Sequence, residues 1–326
     1  MAPPRSHPAV GACHPRGGWR RAAATVLGLL ALLTAQAARA LEIAFTAVAP
    51  GVYAYVGDTE GRTYDNEALN ANIGLIATPQ GAILIDSGAT VRTAATLAAA
   101  AQRATGQPVR WVINTGTQDH RWLGNGYFVR QGIPVYAHAN GRADMQRRGP
   151  EQLSANAPVL KDKQAGTEVV LPTHWIDGDD TELTLGGVTL RLVHRGGGHT
   201  PGDMMVYVPA HGVVFTGDVV YVDRILGMHP VSRSRPWLAT FEALEALQPR
   251  IVVPGHGRVT DLAQAQRDTG ELLRALRAHM RRAVDEGVDL GTAVRTFDAR
   301  PFAHLKHAEV WLPQLANRTY LEVEQE

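Results

Sequence analysis

The stretch Val112-Ile113-Asn114-Thr115-Gly116-Thr117-Gln118-Asp119-His120-Arg121-Trp122-Leu123-Gly124-Asn125 decides how this chain is read. Its start belongs to an apolar run, Val109 to Asn114, that has the length and residue types of a short strand. The strand delivers a polar turn carrying Gln118, Asp119, His120 and Arg121, closed by a glycine. Three later segments have the same character: Gly198-His199-Thr200-Pro201-Gly202-Asp203, Thr216-Gly217-Asp218 and Pro254-Gly255-His256-Gly257. Each sets a His or Asp beside glycines, which let backbone approach a shared centre closely. The single cysteine, Cys13, lies in the first 40 residues. A metal held by the rest of the chain must therefore use His, Asp and similar donors.

Together these segments resemble the metallo-β-lactamase-fold hydrolases, in which a strand ending in Asn-Thr runs into His-x-His-x-Asp-His and then Gly-Asn. The resemblance covers about Val48 to His256 and implies a four-layer αββα sandwich of the α+β class, with the metal site at one edge between two similar halves. It carries His199, Asp218 and His256 over as metal ligands. In the loop, an ungapped match places Gly116 and Gln118 where the first two histidines belong, His120 where the Asp belongs and Arg121 where the third His belongs. Gln118 then offers a weak amide oxygen and His120 can coordinate, whereas Arg121 has no acceptor atom. A shifted register instead puts Asp119-His120 on the Asp-His pair. The ungapped register keeps the family spacing on both flanks, and either register predicts one metal, with zinc expected and iron or manganese open.

The chemistry that follows is metal-assisted hydrolysis. Catalytic zinc commonly takes three protein ligands and lowers the pKa of a bound water to about 7. Arg121 is expected to stabilise negative charge and Asp119 to serve as a general base or as a partner of His120. Asp86, in Leu84-Ile85-Asp86-Ser87-Gly88, is expected to brace the loop, and Asp203 to brace its own turn. Trp122, Tyr127, His229 and Trp237 are candidate cleft residues. The substrate class is a small molecule with an ester, thioester, lactone or amide carbonyl. The competing class is a binding or accessory protein whose metal centre has decayed. A third reading, true β-lactamase activity by fold analogy, is set against this chain's lack of the ligand set that the two-metal enzymes use.

Composition sets the remaining limits. At 326 residues and 45% hydrophobic content the chain can bury a large core. Residues 1–40 carry Arg5, Arg16, Arg20, Arg21 and Arg39 with no acid, an apolar run from Ala22 to Ala35, and Ala38-Arg39-Ala40. This pattern predicts a signal peptide cleaved near Ala40 and an exported, periplasmic protein, and Arg20-Arg21 permits the twin-arginine route. The apolar run is shorter than the ~20 residues of a membrane span, so no stable anchor is expected after cleavage. Removing those five arginines leaves 27 basic against 31 acidic residues, a net −4, which argues against nucleic acid. Val48-Ala49-Pro50-Gly51-Val52-Tyr53 and Ala71-Asn72-Ile73-Gly74 are similar to exported relatives linked to quinoprotein or sulfur-oxidising pathways.

Periodicity and punctuation predict strands at Val52 to Val56, Asn72 to Ala77, Ala82 to Asp86 and Pro134 to Ala137, with hairpins about Leu185-Gly186-Gly187-Val188 and His211-Gly212. Helices are predicted at Val91 to Thr105, Asn140 to Arg148, Pro236 to Leu247, Asp261 to Glu286 and Lys306 to Val323. The expected organisation is 1–40 signal, 41–260 sandwich domain and 261–326 a helical extension packed on that domain.

Overall fold

Two parallel strand pairs set the architecture, because each brings two loops to one edge. The computed structural model describes residues 1–3 and 41–326, and the predicted signal segment falls outside them. In chain order the elements are β1 Thr46–Ala49, β2 Val52–Tyr55, β3 Ile73–Thr78, β4 Gly81–Ile85, α1 Val91–Thr105, β5 Val109–Ile113, the short helices α2 Asp119–Trp122 and α3 Asn125–Val129, β6 Val135–His138 and α4 Arg142–Leu160. There follow β7 His174–Ile176, β8 Asp180–Leu185, β9 Val188–Val193, β10 Met205–Val208, β11 Val213–Phe215, α5 Ser234–Leu247, β12 Ile251–Val253, α6 Leu262–Ala265, α7 Glu271–Asp285, α8 Leu290–Thr296 and α9 Ala308–Val323. Strands β1 to β7 form one sheet in sequence order, and the second runs β12-β11-β10-β9-β8.

Alternation along the strands assigns the layers. Ile76, Ile83, Ile85 and Ile113 of the first sheet meet Leu190, Leu192, Val206, Val213 and Phe215 of the second in one buried cluster. Their neighbours Leu75, Leu84 and Val112 face the other way, against Ala94, Leu97 and Ala101 of α1. On the far side of the second sheet, Met205, Val214 and Val252 pack with Trp237 and Phe241 of α5, Leu272 and Leu276 of α7 and Leu312 and Tyr320 of α9. The result is the expected four-layer αββα sandwich with C-terminal helices, and Leu41–Glu326 is one compact unit. Among the described residues no helix is long and apolar enough to cross a membrane.

Helix α1 has the bounds its sequence predicts. Thr90 and Thr93 form a reciprocal cap at its start, and Gly106 ends it at φ 71°. Two other helices differ from expectation. Helix α4 continues past Arg148 to Leu160 through Pro150 and Pro158. Gly149 lies against Trp122 so closely that a Cβ would come within 3.0 Å, and this docking outweighs local propensity. Between α6 and α7 a π turn, Gln266–Gly270, interrupts the predicted continuous helix. It turns Thr269 onto Tyr221, whose N–H donates to Oγ1 at 3.0 Å and whose carbonyl accepts at 2.6 Å.

Strands β4 and β5 pair in parallel with Ile85 beside Ile113, so Asp86 and the loop from Asn114 leave the sheet side by side. Strands β11 and β12 pair in parallel with Phe215 beside Val253, so Thr216-Gly217-Asp218 and Pro254-Gly255-His256 do the same. Gly255 is required at this junction: a Cβ there would lie 2.4 Å from the Gly217 carbonyl oxygen.

Candidate metal centre

Three imidazoles converge on one buried carboxylate. Nε2 of His256 lies 3.1 Å from Oδ1 of Asp218, while Nε2 of His120 and of His199 lie 3.3 and 3.8 Å from Oδ2. One ligand atom each from His120, Asp218 and His256 fall within 4.8 Å of one another, a grouping that could hold a metal ion. Gln118 presents its amide oxygen to Nε2 of His199. The far nitrogens are tied outward: Nδ1 of His199 bonds the Gly227 carbonyl at 2.8 Å and Nδ1 of His256 the Asn70 carbonyl at 3.0 Å. A carbonyl can only accept, so in the neutral rings both Nδ1 atoms carry the proton and both Nε2 lone pairs face oxygens that also only accept, Asp218 for His256 and Gln118 with Asp218 for His199, a mismatch that a shared cation would relieve. Outward N–H bonds with inward lone pairs are the arrangement of metal-bound histidines, so these residues fit a metal.

Burial pushes His256 down to about 3 and His199 well below its ordinary value, keeping both rings neutral. Burial alone would raise the Asp218 carboxyl, but Arg121 and then His199 and His120 outweigh it and hold it well below the usual carboxylate range. The donor set is thus two neutral imidazoles beside an ionised carboxylate.

Arg121 lies on the other side of that carboxylate. It is fully buried and all five of its N–H donors are engaged: Nε and Nη2 fork onto Asp218 at 3.1 and 2.7 Å, Nη1 reaches Asp86 at 2.9 Å and the Asn72 carbonyl at 3.0 Å, and Nη2 also reaches the Gly255 carbonyl at 3.1 Å. This corrects the expectation that Arg121 stabilises charge on a substrate. It has no donor to spare and does not line the cleft, and its charge instead neutralises Asp86 and Asp218 from below. Asp86 accepts from Thr115 N at 2.7 Å and from Thr115 Oγ1 at 2.8 Å, which ties it to the start of the loop.

Asp119 requires a second correction. Its carboxylate takes a bidentate bond from Arg62, at 2.7 and 2.5 Å, and another from Asn156 at 2.7 Å. Burial would raise it, yet Arg62 and His120 hold it well below the usual range. A carboxylate so engaged is no general base, and it lies outside the grouping of His120, Asp218 and His256. It lies 3.4 Å from Nδ1 of His120, which makes no hydrogen bond. Asp203 braces its turn, accepting from Thr200 N at 2.8 Å and from the Thr200 hydroxyl, and burial pushes it up to about 7. It also closes the space where the first family histidine would project: a Cβ on Gly116 would come within 3.0 Å of it.

The centre opens on a cavity of about 190 Å³ lined by Gln118, His120, His199 and His256 with Arg62, Asn70, Tyr221, Arg224, Met228, His229 and Trp311. Of the aromatic candidates, His229 lines the cavity and Trp237 packs behind His199 with centroids 5.3 Å apart. Trp122 is core, its indole N–H on the Thr117 carbonyl at 3.0 Å, and Tyr127 sits in the outer layer. Tyr221, stacked on His256 at 4.7 Å, and Arg224 were not anticipated, although both follow Asp218 closely in sequence.

With this geometry in hand, sequence comparison decides the family. The profile of the metallo-beta-lactamase superfamily matches residues 66–256. The chain belongs to that superfamily. It is 27% identical over 132 residues to metallo-beta-lactamase type 2 of Bacteroides fragilis, a match covering 38% of this chain and about half, 52%, of that relative. It is 30% identical over 110 residues to acyl-coenzyme A thioesterase MBLAC2 of Bos taurus, covering 32% of this chain and 39% of the relative. Among solved structures, a metallo-beta-lactamase from Pontibacter korlensis aligns with a TM-score of 0.55 at 24% identity, over 72% of this chain and 99% of the other. The metallo-beta-lactamase IND-7 aligns at 0.58 and 20% identity, over 72% and 98%. At these identities the structural likeness speaks to the fold.

Proposed function

We propose that this chain is an exported, periplasmic metal-dependent hydrolase with a single ion, acting on a carbonyl ester, thioester, lactone or amide. The observation that carries this reading is the convergence of three Nε2 atoms on Asp218, two of them aimed by outward Nδ1–H bonds to carbonyls. A centre that had merely decayed has no physical need to keep those rings neutral and aimed inward. His120, His199, Asp218 and His256 would hold the ion, with Gln118 at its side. Zinc is the ion this nitrogen and oxygen set favours, with iron and manganese the alternatives. When bound, the ion supplies Lewis acidity for polarising a carbonyl and lowering the pKa of water.

The chain's own residues do the rest. Asp218 stays ionised and oriented by Arg121, and the Asp119 carboxylate lies 3.4 Å from Nδ1 of His120. Trp237 packs behind His199, and Tyr221, stacked on His256 and lining the cavity, keeps a neutral hydroxyl in the cleft because burial raises its pKa well above the ordinary value. Export is supported by the basic, apolar and small-residue succession in 1–40.

Elemental analysis of the mature protein, with turnover of a panel led by thioesters and lactones, tests the reading. Near-stoichiometric metal lost in His256→Ala together with turnover is the expected result. A protein that takes up neither zinc nor iron and hydrolyses nothing in the panel would leave the accessory-protein reading.

A further inference from the structure

Three arginines border the centre, and only two have carboxylates. Arg121 forks onto Asp218 and Arg62 onto Asp119. Arg224 is 3% exposed, and among the described residues it has no carboxylate partner. Its Nε is buried with no acceptor, and Nη1 reaches only the Glu60 carbonyl, at 3.4 Å. The Glu60 carboxylate is itself taken by Lys306, with His307 at 3.6 Å. A buried guanidinium without an ion-paired anion is costly, and here only one long bond to a carbonyl and two aromatic faces offset it.

The fold nevertheless holds it in place. Backbone pairing of Arg224 with Lys306 fixes it between the Asp218 segment and the C-terminal helices. Its guanidinium lies 4.8 Å from the Trp311 ring centroid and 5.8 Å from that of Tyr221, two aromatic faces that support a planar cation. It lines the same cavity as His120, His199 and His256. A guanidinium held against two aromatic faces, lining the cavity and without an ion-pair partner, matches an oxyanion.

We propose that Arg224 is the recognition residue for an oxyanion, a carboxylate or a phosphate, carried by the substrate, so that the substrates are anionic acyl compounds. This rests on the hydrolase reading for the reacting carbonyl, while the oxyanion site stands on Arg224 alone.

Calorimetric titration of the mature protein with glutarate, inorganic phosphate and the neutral glutaramide tests it, both as purified and after chelation. Charge-assisted hydrogen bonds are worth about 10- to 100-fold in affinity, so one of the two anions should bind at least about 10-fold more tightly than glutaramide in both preparations. Which anion binds names the group. Arg224→Met, which keeps the stem over Trp311, should abolish the preference while leaving metal content unchanged, and Arg224→Lys should retain part of it. Equal binding of glutaramide, absence of anion binding, or an undiminished preference in Arg224→Met would each overturn the proposal. Because the chelated protein is measured separately, failure of the metal-centred reading would show as missing metal and turnover with anion preference intact.

Discussion

His194 and His199 stand five positions apart on the segment that follows β9, both buried, yet they belong to two different kinds of site. His199 turns Nε2 toward Asp218 and joins His120 and His256. His194 stacks on His138 with ring centroids 3.6 Å apart and a 19° tilt, and its nitrogens are spent on the Asp203 carbonyl at 2.8 Å and Asn140 at 2.9 Å. His138 likewise faces the Gly178 carbonyl at 3.2 Å and the Asn140 N–H at 3.3 Å. Burial is common to both groups. A shared carboxylate, with a cation beneath it and lone pairs left over, is found in only one.

The contrast breaks most severely at Arg121. Arg121→Leu leaves Asp86 and Asp218 buried without their counter-charge, and removing one partner of a buried pair costs about 3 to 5 kcal/mol. Denaturant unfolding should show a loss of at least that size. The loss should shrink as the pH is lowered, since protonating the stranded carboxyls removes their charge. An unfolding free energy within about 1 kcal/mol of the parent would mean that the guanidinium does not support Asp218.

Metal content separates the two groups next. His199→Ala and His256→Ala should each lower zinc affinity at least about 10-fold, since even outer partners of ligands are worth 10- to 100-fold. His138→Phe should leave it unchanged. Gln118→Ala tests the weakest member, and a smaller loss than either histidine variant is expected because a neutral amide oxygen is a poorer donor than imidazole. Equal loss in His138→Phe and His256→Ala would erase the distinction drawn from nitrogen orientation.

Much of this distinction was legible in the chain because it rests on short segments. Gly198-His199-Thr200-Pro201-Gly202, Thr216-Gly217-Asp218 and Pro254-Gly255-His256 each fix a ligand to a glycine turn at a strand end, and parallel pairing of β4 with β5 and β11 with β12 does the assembly. Helix α1 was legible through its Ala- and Leu-rich run and its closing Gly106. The roles of Asp119 and Arg121 were not, because they depend on partners far along the chain: Arg62 and Asn156 for one, Asp86 and Asp218 for the other. Arg224 escaped notice for the same reason, since the Trp311 beneath it arrives on α9.

The stacked pair gives the smallest effect and the cleanest sign. Burial, and for His138 the neighbouring His194, lowers both rings from the ordinary value of 6.5. A folded pKa below the unfolded one means that the unfolded chain binds more protons under acid conditions. The contribution is therefore fully present above 6.5 and is lost as the pH falls through that value toward the depressed folded pKa. Unfolding free energy measured between about pH 7 and pH 5 should decline in the parent protein and decline less steeply in His138→Phe, which has one such group fewer. The metal-binding histidines would add their own acid loss when an ion is present, so the comparison belongs on chelated protein. An unchanged slope would mean that the pair opens to solvent before it titrates, and the face-to-face stack would then lose its standing as a purely structural counterpart to the Asp218 centre.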